Sequence, residues 1–73
     1  MDRKEIGNQL KRLRENLGYS VSFVADQCGI SQSALSMYES GERLPRDEVK
    51  ICLARFYNVS VSSIFFPNET HES

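Results

Sequence analysis

The sequence predicts an all-α fold, a compact five-helix bundle, and three observations carry that expectation. Apolar residues recur at helical spacing in one segment after another, glycines and serines stand where helices should stop and restart, and β-branched alternation is nowhere sustained. With 73 residues the chain makes one domain near the lower limit for a self-supporting core. Residues 1–66 read as that domain and 67–73 as a polar C-terminal tail.

Taken in order, residues 2 to 17 give an amphipathic helix. Asp2 with Glu5 fits a capping box, and Ile6, Leu10, Leu13 and Leu17 trace the stripe of a helix buried on one side. Lys11, Arg12 and Glu15 form its solvated face. Gly18 stops it, Tyr19 packs back on the core, and Ser20 caps the next helix, in which Val24, Ala25 and Cys28 share a face. Gly29 ends that helix, because a residue without Cβ takes the left-handed conformation a helix end often needs. Ile30 drops into the core and Ser31 caps a third helix, which buries Leu35 and Tyr38 and turns Gln32, Ser33, Ser36 and Met37 outward. Exposed helix faces normally carry Lys and Glu, so this charge-poor face is shaped for a partner. The turn at Gly29 is too short for an antiparallel hairpin of long helices, and the two central helices should cross steeply.

The segment GERLP is a loop, since Pro45 forbids an early restart. A fourth helix runs from about Asp47 to Tyr57, with Val49, Leu53 and Phe56 on its stripe and Cys52 and Tyr57 flanking. Asn58 serves as its left-handed end. Ser60 caps a short fifth helix carrying Val61, Ile64 and Phe65, and Pro67 stops it.

Composition narrows the function classes. Hydrophobic residues are 40% of the chain and charged ones 26%, a globular balance rather than a disordered one. No apolar run approaches the ~18 residues of a membrane span, and MDRKEIGNQL lacks the apolar stretch of a secretory signal, so a cytoplasmic protein is expected. Cys28 and Cys52 lack metal-ligand spacing, and the single histidine, His71, lies in the tail, so both cysteines read as reduced core thiols. There is no nucleophile with a base, no Gly-rich phosphate loop and no metal cluster, hence no enzyme, cofactor or small-molecule ligand is expected. Net charge is −1. The pI of about 5.7 counts against nucleic acid, whose binding domains commonly exceed a pI of ~9. Distribution matters more than the sum. Arg3, Lys4, Lys11, Arg12 and Arg14 cluster at the start, and Arg43 and Arg46 follow the central pair, so a positive face on a neutral body remains open.

The pattern LKRLRENLGYSVSFVADQCGISQSALSMYESGERLP, followed by an apolar helix and NVSVSSIF, resembles the phage-repressor-like helix-turn-helix family of lambda repressor and Cro type, the XRE-like transcriptional regulators. Its anchors are Leu13, Arg14, Gly18, Val24, Ala25, Gly29, Ser31, Leu35, Glu39, Gly41, Pro45, Leu53, Ala54 and Val59, across about residues 4 to 66. The resemblance implies a helix-turn-helix at about 21–40 whose second helix enters the major groove of double-stranded DNA. Gln32 then matches a base-reading position, and its amide can donate and accept at once, as adenine N6 and N7 require. Ser33 and Ser36 match groove-facing positions. Met37 stands where a longer polar reader is common, and either packs on a thymine methyl or covers part of the core. Phosphate contacts would come from the backbone around Ser20, Val21 and Ser22, from Ser31, and from Arg43 and Arg46 in the following loop. Simple solvation is the alternative for Gln32, Ser33, Ser36, Arg43 and Arg46. Arg14 and Glu39 correspond to an internal ion pair that ties the first helix to the recognition helix.

Two features depart from the pattern. Phe23 replaces a residue that is usually polar and outward-facing, and Ile64, Phe65 and Phe66 end the last helix with more aromatic surface than a small core absorbs. These four form a candidate patch for a homodimer or another partner. The expected function is therefore sequence-specific DNA binding by a small prokaryotic or phage-type regulator, a repressor acting as a homodimer on a palindromic operator. Two alternatives stay open: a protein-interaction module on the same fold, and a DNA-binding fragment of a larger repressor.

Overall fold

The computed structural model describes residues 2–66 as α1 (Arg3–Asn16), α2 (Val21–Gln27), α3 (Gln32–Ser40), α4 (Asp47–Tyr57) and α5 (Val61–Phe65). The tail expected over 67–73, with Pro67 and His71, lies outside the described residues. Four helices begin on a side chain that accepts from an orphan backbone N–H. The Asp2 carboxylate accepts from Lys4 N at 3.0 Å, Ser20 from Phe23 N at 3.0 Å, Ser31 from Ala34 N at 3.0 Å and Ser60 from Ser63 N at 3.1 Å. Helix α4 has no such cap; Asp47 and Glu48 in its first turn face the positive end of the dipole instead. It ends on Asn58 in the left-handed conformation, φ 59°.

Leu10, Val24, Leu35, Leu53, Ile64 and Phe65 are the largest fully buried side chains, with contributions from all five helices. Helix α1 packs on α3 and on α5, and α4 packs on α5. This arrangement corrects the partner patch: Ile64 and Phe65 are core residues, because the short α5 sits between α1 and α4 and has both of them facing inward. Neither is available to a partner. Phe66 is half-buried, and Lys50 Nζ lies 5.2 Å from its ring centroid and 5.7 Å from that of Phe65.

Other residues exchange roles. Leu17 is 52% exposed, since α1 stops at Asn16 and the apolar stripe ends with Leu13. Helix α4 turns Leu53, Ala54 and Tyr57 to the core, and Phe56 stays half out to meet Tyr19 and Phe23. Cys28 and Cys52 are free and half-buried rather than fully enclosed. Among the described residues no helix is long and apolar enough to cross a membrane, and no group of His, Cys, Asp or Glu could hold a metal ion.

Candidate nucleic-acid interface

The site is built around the turn between α2 and α3. Cys28 N–H reaches back to Val24 O at 3.1 Å and Ala25 O at 3.2 Å, and Ile30 N–H returns to Ala25 O at 3.0 Å. Gly29, at φ 67°, is the left-handed residue that lets the chain reverse between those bonds. Ser31 caps α3 two residues later, so α3 is aimed by a turn whose backbone bonds are all local. Its period of 3.6 places Leu35, Tyr38 and Glu39 inward. Gln32, Ser33 and Ser36 are exposed, and Met37 is half-buried. Among the described residues the side chains of Gln32, Ser33 and Ser36 have no hydrogen-bond partner.

The far end of α3 is held differently. Arg14 Nε donates to Glu39 Oε2 at 2.7 Å and its Nη2 to Oε1 at 2.9 Å, a bidentate pair whose side chains are only 11% and 7% exposed. Arg14 Nη1 also donates to Tyr19 O at 2.9 Å, which ties in the chain just before α2. The hydrogen bond to Glu39 raises the Arg14 pKa against the opposing effect of burial. Burial pushes the Tyr57 phenol up, and Glu39 adds to the shift; the Tyr57 hydroxyl is buried without a partner among the described residues.

Sequence reasoning passed over Gly7. A Cβ there would fall onto the Glu39 carbonyl oxygen and lie 2.6 Å from Tyr38 O, so α1 rests backbone to backbone on the last turn of α3. The available signal was a glycine inside an otherwise continuous helical stripe.

An open groove of about 500 Å3 runs between the starts of α2 and α3, lined by Ser20, Ser22, Phe23, Asp26, Ser31 and Gln32 among others. It brings together four of the expected contact residues: Ser20, Ser22, Ser31 and Gln32. Val21 does not line it and is half-buried. Asp26, one turn beyond Ser22, adds a carboxylate that the sequence reading did not assign. Arg43 and Arg46 are exposed in the loop after α3. That loop is positioned by Glu42 N–H and Arg43 N–H on Met37 O at 2.9 and 3.3 Å, and by the buried Pro45. Phe23, 43% exposed, stacks on Tyr19 with centroids 4.9 Å apart, whereas Phe66 lies against Lys50. The four residues of the expected patch are therefore not one surface.

Two short helices joined through a left-handed glycine, the second with a bare polar outer face and a braced inner one, define a helix-turn-helix domain. Residues 10–64 match the helix-turn-helix family, and the chain belongs to it. Its sequence is 31% identical over 64 residues to the HTH-type transcriptional regulator ImmR of Bacillus subtilis, covering 88% of this chain and 50% of ImmR. Its fold is similar to the restriction-modification controller protein C.AhdI from Aeromonas hydrophila, with a TM-score of 0.82 and 25% identity over 88% of this chain and 97% of that one. It is also similar to the N-terminal DNA binding domain of SinR from Bacillus subtilis, with a TM-score of 0.78 and 30% identity over 94% and 99% of the two chains. The chain spans between 11% and 50% of the length of the curated relatives it matches. Those relatives are named as regulators of transcription, none as an enzyme.

Proposed function

We propose that this chain binds double-stranded DNA sequence-specifically and regulates transcription in a prokaryotic cytoplasm, as a repressor that covers a palindromic operator as a homodimer. The observation that carries the proposal is the first half of α3, an exposed polar face without internal partners on a helix whose other end is fixed. In the major groove Gln32 reads adenine, Ser33 and Ser36 make short hydroxyl contacts, and Met37 packs on a thymine methyl. Ser20, Val21, Ser22 and Ser31 meet one stretch of phosphate, and Arg43 and Arg46 another. The named roles of ImmR and SinR favour the same reading. Residues 1–66 act as the binding unit and 67–73 as an appended tail. No cofactor takes part.

The homodimer reading now rests on α4 and α5 around Ile51, 46% exposed, with Val61 and Phe66 beside it in a shallow hollow of about 320 Å3. Asp47 and Lys50 line the same hollow, so a two-fold contact would set acid against base on both sides. A protein-interaction role has one observation in its favour, the exposed Tyr19–Phe23–Phe56 cluster.

Selection of sites from random duplex separates the two. The DNA reading expects one palindromic motif and an affinity that falls steeply with salt through counterion release. Absence of enrichment even at low salt overturns it in favour of the interaction module.

A further inference from the structure

Bases from two distant parts of the chain meet at the C-terminal end of α3. Gly41 is the left-handed C-cap of that helix, and a Cβ there would lie 2.9 Å from Lys4 Cα and 3.1 Å from Lys4 N. The first turn of α1 therefore rests backbone to backbone on the cap. Arg3 Nη1 donates to Glu42 O, 39 positions away, at 3.5 Å, a long contact that uses one of five guanidinium N–H groups. Arg43 follows directly, and Arg46 is the N-cap residue of α4. Arg3, Lys4, Arg43 and Arg46 are all exposed, and among the described residues none of them is ion-paired with a carboxylate. The acids nearby in the chain are Asp2, whose carboxylate caps α1, Asp47, 3.8 Å from Lys50, and Glu42 and Glu48.

We propose that Arg3 and Lys4 extend the phosphate-binding surface of the loop after α3, so that the start of α1 and this loop together grip one stretch of DNA backbone. The proposal rests on the DNA reading above, in which Arg43 and Arg46 meet phosphate. Each strand carries one negative charge per ~3.4 Å of helix axis, so a surface several residues broad covers more than one phosphate. The loop is positioned before docking: Glu42 N–H and Arg43 N–H bond to Met37 O at 2.9 and 3.3 Å, and α1 packs against Gly41. Docking then costs side-chain freedom more than backbone freedom. A chain of net charge −1 thus offers a positive surface, because the fold gathers cations that the composition hides. Contacts to phosphate carry no sequence information, so their contribution is the same on every duplex.

The test compares the whole chain with the double variant Arg3→Gln, Lys4→Gln, by anisotropy on the selected duplex and on an unrelated one across a salt series. Urea unfolding shows that each variant folds. Arg55→Gln is the control, since Arg55 is exposed on α4 nine positions, or ~13.5 Å, beyond Arg46. The double variant should bind both duplexes about tenfold more weakly near ~0.1 M salt, with a slope of log K on log salt shallower by about two and base preferences unchanged. Arg3→Lys with Lys4→Arg should keep the slope, and Arg55→Gln should stay within about twofold of the parent. A double variant with the parent's slope, a loss per charge no larger than that of Arg55→Gln, or lost discrimination at one base pair overturns the proposal. If the parent binds no duplex even at low salt, the DNA reading falls and this proposal with it; if the parent binds and the double variant matches it, only this proposal falls.

Discussion

The two halves of α3 are held in opposite ways. Its C-terminal half is fixed from several sides: Tyr38 and Glu39 are buried, Arg14 grips the Glu39 carboxylate, and α1 presses onto its carbonyls at Gly7. Its N-terminal half is held by the buried Leu35 and one cap, from Ser31, and otherwise shows a row of exposed polar side chains without internal partners among the described residues. The difference teaches that rigidity and recognition are supplied by different residues. A reading face fixed from behind loses little backbone freedom when it docks, so its side chains remain free to match a partner.

Substitutions can break that division, and the largest effect belongs to the brace. Glu39→Ala strands the Arg14 guanidinium in a site where its side chain is 11% exposed, and should cost about 3–5 kcal/mol in urea unfolding. A loss below about 1 kcal/mol would remove the brace from the account. Gly7→Ala comes next, since the backbone of α1 or α3 must move to admit the Cβ. About 1–3 kcal/mol is expected from the same unfolding curves, despite alanine's better helix propensity.

Alkali probes the turn that precedes α3, at the C-cap of α2. Cys28 ionises at 9.0 in its ordinary state and is pushed up to about 12 in the fold, so the folded chain holds more protons than the unfolded one between those values. Its contribution is fully present below about pH 9 and is lost as pH rises toward 12. Tm should fall above pH 9, with Tyr57 shifted in the same direction, and should fall less in Cys28→Ser. The smallest effect on stability is at the reading face. Gln32→Ala should leave unfolding within about 0.5 kcal/mol of the parent, because the side chain is exposed and unpartnered.

Much of the scaffold is legible in the sequence because its signals are local. Ser20, Ser31 and Ser60 announce helix starts by side-chain chemistry, and Gly29 and Asn58 announce ends by backbone conformation. The polar face from Gln32 to Ser36 follows from helical period alone. What stays hidden depends on how helices dock. Gly7 matters only because α1 crosses the last turn of α3, a contact between residues more than thirty apart in the chain. Ile64, Phe65 and Phe66 are a uniform apolar run until α1 and α4 close over two of them. A small rotation of α4 exchanges Phe56 for Tyr57 at the core, and the early end of α1 leaves Leu17 outside. The link between Arg14 and Glu39 spans 25 positions, and it is the family resemblance rather than any spacing that draws attention to it.

The central claim is that the outer face of α3 from Gln32 to Met37 reads bases while Tyr38 and Glu39 hold the helix in place. It is tested most directly by measuring the affinities of the parent and Gln32→Ala for the selected duplex and for every single base-pair change in it. The expected result is a loss of about 1–3 kcal/mol confined to one A·T pair in each half-site, where the variant no longer discriminates. A uniform loss across all duplexes, or discrimination unchanged at every position, would contradict the assignment of the reading face to α3.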